Sequence, residues 1–166
     1  DWASIEFQPN GTIITANHNF GKALGYDSIK DIEGKHHKIF CDSKFVESEE
    51  YKKFWENLAC GNTQSGEFRR KTKNGSFVWI KASYTPIKNK YGAIEKVVKI
   101  ASDITEMVES KIKAEAIQTA LDATCATAEF NPEGEILNAN EKYIQSIGYD
   151  NEEEIKKLNH SALCPL

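Results

Sequence analysis

The chain is predicted to adopt an α+β fold, a five-stranded antiparallel sheet with helices on one face. A connecting helix and the front part of a second copy of the same domain follow it. Three observations carry this reading. Hairpin-type turns, Pro9-Asn10-Gly11 and Lys73-Asn74-Gly75, separate segments rich in β-formers. Tyr51, Phe54, Trp55 and Leu58 recur at i, i+3, i+4 and i+7, the apolar stripe of one helix. Ile5–Cys41 also recurs as Ala128–Cys164, with Glu6, Phe7, Pro9, Gly11, Ile13, Ala16, Asn17, Gly25, Tyr26, Asp27, Ile32, His37 and Cys41 all repeated 123 positions later. Solenoid units repeat at roughly 20–50 residues, so this offset duplicates a whole domain.

The elements follow in order. Ser4–Phe7 and Thr12–Ala16 form a hairpin around Pro9-Asn10-Gly11. Asn19–Leu24 is a short helix that stops at Gly25. Ser28–Asp31 is a second, with Asp27 as its expected N-cap. Lys35–Ile39 is one helical turn, and Glu47–Ala59 is the helix carrying the apolar stripe, ended by Gly61. Three strands close the domain: Ser65–Thr72, Ser76–Pro86 and, after the Asn89–Gly92 turn, Ile94–Ile104. Thr105–Thr124 lacks Gly and Pro and reads as a helix, with Val108, Ile112, Ala116 and Leu121 expected along one side as a coiled-coil seam. The expected boundaries are residues 1–104 for the complete domain, 105–124 for the connecting helix and 125–166 for the partial copy. A two-stranded hairpin is marginal alone, so the partial copy is expected to make a β-contact with the first domain or another chain.

Composition excludes several classes. With 21 basic and 25 acidic residues interspersed, a net charge of −4 offers no basic footprint for nucleic acid. No apolar run approaches the ~20 residues of a membrane-spanning helix, and no signal peptide opens the chain; a cytoplasmic location is expected. Cys41, Cys60, Cys125 and Cys164 form no CxxC pair and no CxxCH, which argues against structural zinc and covalent haem. Phosphate loops, HExxH and nucleophile motifs are missing as well, so the chain is not expected to be an enzyme.

These residues resemble PAS sensor domains across positions 4–106. The likeness rests on the first hairpin with its Ala16-Asn17, the Gly25-Tyr26 step into Gly34, and the run from Gly75 and Trp79 through Thr85-Pro86-Ile87 to Asp103-Ile104-Thr105. Gly34–Cys41 and Tyr51–Trp55 look most like the tandem PAS domains of soluble bacterial chemotaxis receptors of the aerotaxis and biofilm-dispersal types. The resemblance implies a sensory input module that relays the state of a pocket through its C-terminal helix. Its implied partners are a second copy, paired through the PAS domain and linker helix, and chemotaxis signalling proteins reached through a methyl-accepting receptor. The alternative is a cofactor-free dimerisation and transmission module of a histidine kinase or cyclic-di-GMP enzyme.

PAS pockets lie between the concave sheet face and the helices, and the family likeness offers Asn17, His37, Trp55, Arg70 and Ile80 as pocket residues. Strand alternation puts Phe68 and Arg70 on one face, and Val78, Ile80 and Ala82 opposite Phe77, Trp79 and Lys81. In flavin-binding light-oxygen-voltage relatives, asparagines stand where this chain has Arg70 and Ile80. His37 stands where their adduct-forming cysteine would be, which makes a photoadduct unexpected. FAD is placed ahead of haem b among the implied cofactors, with no cofactor as the third option. His37 is the metal ligand only if haem is bound. A competing reading makes His37 a helix-end hydrogen-bonding residue, Asn17 an N-cap and Trp55 core packing. An inward Arg70 is costly to bury unless it is paired or meets an anionic ligand.

Overall fold

The computed structural model describes residues 2–156, 159 and 161. The chain divides into two compact units, Asp1–Val108 and Glu109–Leu166.

In the first unit, β1 (Ala3–Phe7) and β2 (Ile13–Ala16) form the expected hairpin. Gly11 holds its turn with φ 88°, and a Cβ there would fall 2.8 Å from His36 Nε2 and 3.0 Å from the Trp55 ring, so glycine is required twice over. Helix α1 (His18–Leu24) is capped by Asn17 and ended by left-handed Gly25. Single 3-10 turns follow at Ile29–Asp31 and His37–Phe40. Asp27 does not cap the first of these. Ser28 precedes it without a side-chain bond, and Asp27 instead pairs with Lys73 at 3.3 Å.

The expected helix Glu47–Ala59 is α3 (Glu49–Ala59), which starts two residues later, and a short helix that was not expected, α2 (Ser43–Val46), precedes it. Ser48 separates the two by capping α3: its Oγ accepts from Tyr51 N at 3.2 Å while donating to Phe45 O. Strands β3 (Gln64–Lys71), β4 (Phe77–Lys88) and β5 (Ile94–Asp103) complete an antiparallel sheet of order β2-β1-β5-β4-β3. Strand β5 is therefore central, with Ile5 on one side of Lys99 and Tyr84 on the other. Helices and turns cover one sheet face, and Ile5, Phe7, Ile13, Phe20, Leu24, Ile32, Phe40, Phe54, Leu58, Ile80, Tyr84 and Val97 form the core between them.

Helix α4 (Thr105–Thr124) has the expected bounds. Val108, Ile112 and Ala116, four apart, fall within about 80° of one side, but the five-residue step to Leu121 turns about 140° further. Met107, Ile112, Ile117 and Leu121 are all exposed.

The second unit reproduces the start of the first. Strands β6 (Ala128–Phe130) and β7 (Ile136–Ala139) pair Ala128 with Ala139, as β1 and β2 pair Ile5 with Ala16, with a bulge before Phe130 as before Phe7. The bridge Thr12↔His36 recurs as Glu135↔Asn159. Asn140 caps α5 (Glu141–Ser146) as Asn17 caps α1. With α6 (Glu152–Ile155), this unit buries Ile136, Ile144 and Ile155 in a cluster of its own. Among the described residues its sheet contains only β6 and β7. The repeats of His37 and Cys41 at positions 160 and 164 lie outside the described residues. Among the described residues, no helix is long and apolar enough to cross a membrane.

Candidate functional site

The concave sheet face presents Phe68 and Arg70 from β3, Ile80, Ala82 and Tyr84 from β4, and Val97, Lys99 and Ala101 from β5. Alternation along each strand fixes these sets, because side chains two apart share a face. Opposite them stand His37, Phe40 and Cys41 from the second 3-10 turn, and Tyr51, Phe54, Trp55 and Leu58 from α3. The first hairpin holds the 3-10 turn in place. His37 N donates to Gly11 O at 2.8 Å, while His36 turns outward to Asn10 O at 2.7 Å.

Tyr84 is at the centre of the site. Its hydroxyl lies 3.1 Å from His37 Nε2 and accepts from Arg70 at 3.4 Å. His37 Nδ1 lies 3.1 Å from the Tyr51 hydroxyl and 3.6 Å from Cys41 Sγ. With Arg70 donating to Tyr84, the Tyr84 hydroxyl proton goes to Nε2 and Nδ1–H to Tyr51 in one of the two tautomers these contacts accommodate. The Cys41 thiol then donates to His37 O at 3.9 Å. Burial, reinforced by Arg70 and Lys99, holds the imidazole well below its ordinary pKa, so it is neutral at pH 7. Burial likewise raises the Cys41, Tyr51 and Tyr84 pKa values, which keeps those groups protonated.

Two cations sit in this face. Arg70 is 3% exposed; one of its amino nitrogens donates to Arg69 O and the other to Tyr84, but Nε has no partner. Lys99 is 0% exposed, and its Nζ has no hydrogen-bond partner. The ammonium lies 5.0 Å from the Tyr84 ring centre and 5.3 Å from that of Phe20. Burial first, and Arg70 second, push its pKa well below the usual lysine value. None of the ion pairs among the described residues includes Arg70 or Lys99. A cleft of about 350 Å³ opens onto Arg70, walled by Phe45, Phe54, Phe68 and Phe77 and rimmed by Asp42, Glu50, Glu67 and Arg69.

The structure brings together four of the five residues expected in the pocket. His37, Arg70 and Ile80 are buried on or against the concave face, and Trp55 packs on the core from α3. Asn17 stands apart. Its Oδ1 accepts from Ser4 N and Phe20 N, and its Nδ2 donates to Trp2 O. The amide ties β1 to α1, and Asn140 makes the same bonds to Thr127, Tyr143 and Cys125. Tyr84, Lys99 and Tyr51 complete the site and were not anticipated.

Neither expected cofactor fits these side chains. The His37 ring lies 5.4–6.2 Å from those of Phe7, Phe40, Tyr51, Phe54, Trp55 and Tyr84, and Phe54 and Tyr84 are 4.9 Å apart. These are direct ring contacts, which leave no slot for a flavin ring system. Both imidazole nitrogens face hydroxyls, so neither is free to ligate haem iron.

The comparisons agree with this architecture. The family model described as "PAS domain" matches residues 3–106. The biofilm dispersion protein BdlA of Pseudomonas aeruginosa is 38% identical over 162 residues, covering 98% of this chain. This chain spans only 38% of that relative's length. Among solved structures, a PAS domain from Colwellia psychrerythraea gives a TM-score of 0.55 at 23% identity, covering 63% of this chain and 87% of its own. An RNA-binding light-oxygen-voltage receptor gives 0.59 at 19% identity over 71% of this chain and 33% of its own. At these identities the two structures show a shared fold and no more.

Proposed function

This chain belongs to the PAS domain family, and from that premise we propose that its first unit is the signal-sensing input module of a chemotaxis-type receptor. The state of the Tyr84 site is relayed through α4 to a signalling output, with no catalysis by these residues. The observation that carries this is the joint between β4 and α4. Trp79 N donates to Thr105 Oγ1 at 2.9 Å, Thr105 Oγ1 donates to Asp103 Oδ1 at 2.6 Å, and Ile104 N donates to Trp79 O at 2.9 Å. Trp79 lies on the same strand as Tyr84, so a shift of β4 at the site moves the first turn of α4. A signal acts through such a joint only by stabilising one of its two arrangements over the other.

The likeness to a biofilm dispersion protein supports chemotaxis signalling proteins as partners and a cytoplasmic setting. A homodimer through the PAS unit and α4 belongs to the same reading. Tracking the swimming of cells whose full-length receptor carries Thr105→Val tests it: altered reversal frequency is expected, and wild-type behaviour would overturn it.

A second reading is a cofactor-free transmission module of a histidine kinase or cyclic-di-GMP enzyme. The ring-filled concave face favours it over a flavin or haem sensor.

A further inference from the structure

Lys99 reverses the ordinary pattern of a sheet. On the central strand it is fully enclosed, while its neighbour Ile100, on the opposite face, is 48% exposed. A lysine in that position loses its hydration and, with no hydrogen-bond partner at Nζ, has only the faces of Tyr84 and Phe20 in exchange. Arg70 repeats the problem one strand beyond β4, with Nε unpartnered at 3% exposure. Both cations meet Tyr84, Lys99 over its ring and Arg70 at its hydroxyl, and no carboxylate pairs with either among the described residues. Buried charges are ordinarily paired, and an anion at this cluster would let both groups carry theirs.

We propose that Arg70 and Lys99 form an internal site for a small monocarboxylic acid with an apolar body, which is the signal the PAS unit senses. This rests on the sensory reading above and adds the chemical class of its ligand. The Arg70 guanidinium, with open hydrogen-bonding capacity at Nε, receives the carboxylate. Lys99, set back from the cleft across the Tyr84 ring, takes up a proton when the anion binds and supplies the second positive charge. The apolar body lies in the cleft of Phe45, Phe54, Phe68 and Phe77, whose volume of about 350 Å³ is in the range of small-ligand pockets. Asp42, Glu50 and Glu67 outnumber Arg69 at its rim, and this acidic excess disfavours phosphates and nucleotides relative to a single carboxylate. The ligand also replaces the Tyr84 hydroxyl as an acceptor for Arg70, and so perturbs the strand that leads to Thr105.

Titration calorimetry on the whole chain tests the site, using octanoate and 3-phenylpropionate, their uncharged amides, and inorganic phosphate as probes. At least one acid is expected to bind. Its amide and phosphate are expected to bind about tenfold more weakly or not at all, and Arg70→Gln and Lys99→Met to weaken the acid about tenfold or more. Circular dichroism melts confirm that each variant is folded, and Arg70→Lys, which keeps the charge, is expected to retain part of the binding. The proposal is overturned by no acid binding at up to about 10 mM, by equal binding of acid and amide, or by undiminished binding to folded Lys99→Met. If acids bind but hydrogen exchange at residues 105–112 is the same with and without them, the relay reading fails and the site stands. If swimming responds to Thr105→Val but no acid binds, the site fails and the relay stands.

Discussion

Tyr84 Oη lies 3.1 Å from His37 Nε2, and this contact joins the sheet to the 3-10 turn beneath α3. Arg70 donates to the same oxygen, which leaves the hydroxyl's own proton available to Nε2. One hydroxyl thus serves a neutral base and a buried cation, both on the concave face.

Tyr84→Phe keeps the ring and removes that hydroxyl. His37 Nε2 then loses its partner, and Arg70 loses one of its two acceptors. A buried group left unsatisfied costs about 1–3 kcal/mol, so urea unfolding should show a loss of that size with an unchanged m-value.

His37 makes stability depend on acidity. Its folded pKa is depressed, so below about pH 6.5 the unfolded chain binds a proton that the folded chain does not. Stability from this group is complete above that pH and falls as the pH drops, by up to about 1.4 kcal/mol per unit. Melts at pH 7.5 and 5.5 should show a steeper loss in the wild type than in His37→Gln.

Lys99→Met is expected to raise stability at pH 7 by about 1–3 kcal/mol, since burial makes the folded chain give up a lysine proton that the unfolded chain keeps, and an apolar chain of similar length carries no such cost. With its folded pKa lowered, Lys99 adds stability as the pH rises toward 10.5, because the unfolded chain holds the extra proton throughout that interval. The variant should lack this alkaline rise between pH 7 and 9. The raised Cys41 pKa acts in the opposite sense above about pH 9 in both proteins. Urea titrations at the two pH values measure the difference.

Asp103→Ala removes the carboxylate that accepts from Thr105 N at 2.9 Å and from Thr105 Oγ1 at 2.6 Å. Loss of a helix cap of this kind costs about 0.5–2 kcal/mol, and it should appear as earlier fraying of residues 105–108 in amide exchange.

Much of the frame was legible in the sequence because hairpin turns and strand alternation are local. Alternation alone aimed Phe68 and Arg70 at the same face, and Arg70 is indeed buried there. Lys99 was not legible. Its strand alternates apolar residues on both faces, and only pairing with Ile5 and Tyr84 reveals that the lysine faces inward and Ile100 outward. The available signal was that Lys99 shares its face with Val97 and Ala101. Tyr84 could have been found by extending the Ile80–Ala82 face by one more step. The family likeness drew Asn17 toward the pocket, although its place immediately before a helix already marked it as a cap. Spacing suggested a seam on α4, and helix geometry keeps Val108, Ile112 and Ala116 on one side of it but not Leu121.

The most direct test of the account is amide hydrogen exchange at residues 105–112 in wild type and Tyr84→Phe, scaled to exchange in β5. Coupling between the Tyr84 site and α4 predicts faster exchange in that first stretch of the helix, by about fivefold or more, beyond the loss shared with the sheet. Exchange at 105–112 that changes only in proportion to β5 would contradict the relay.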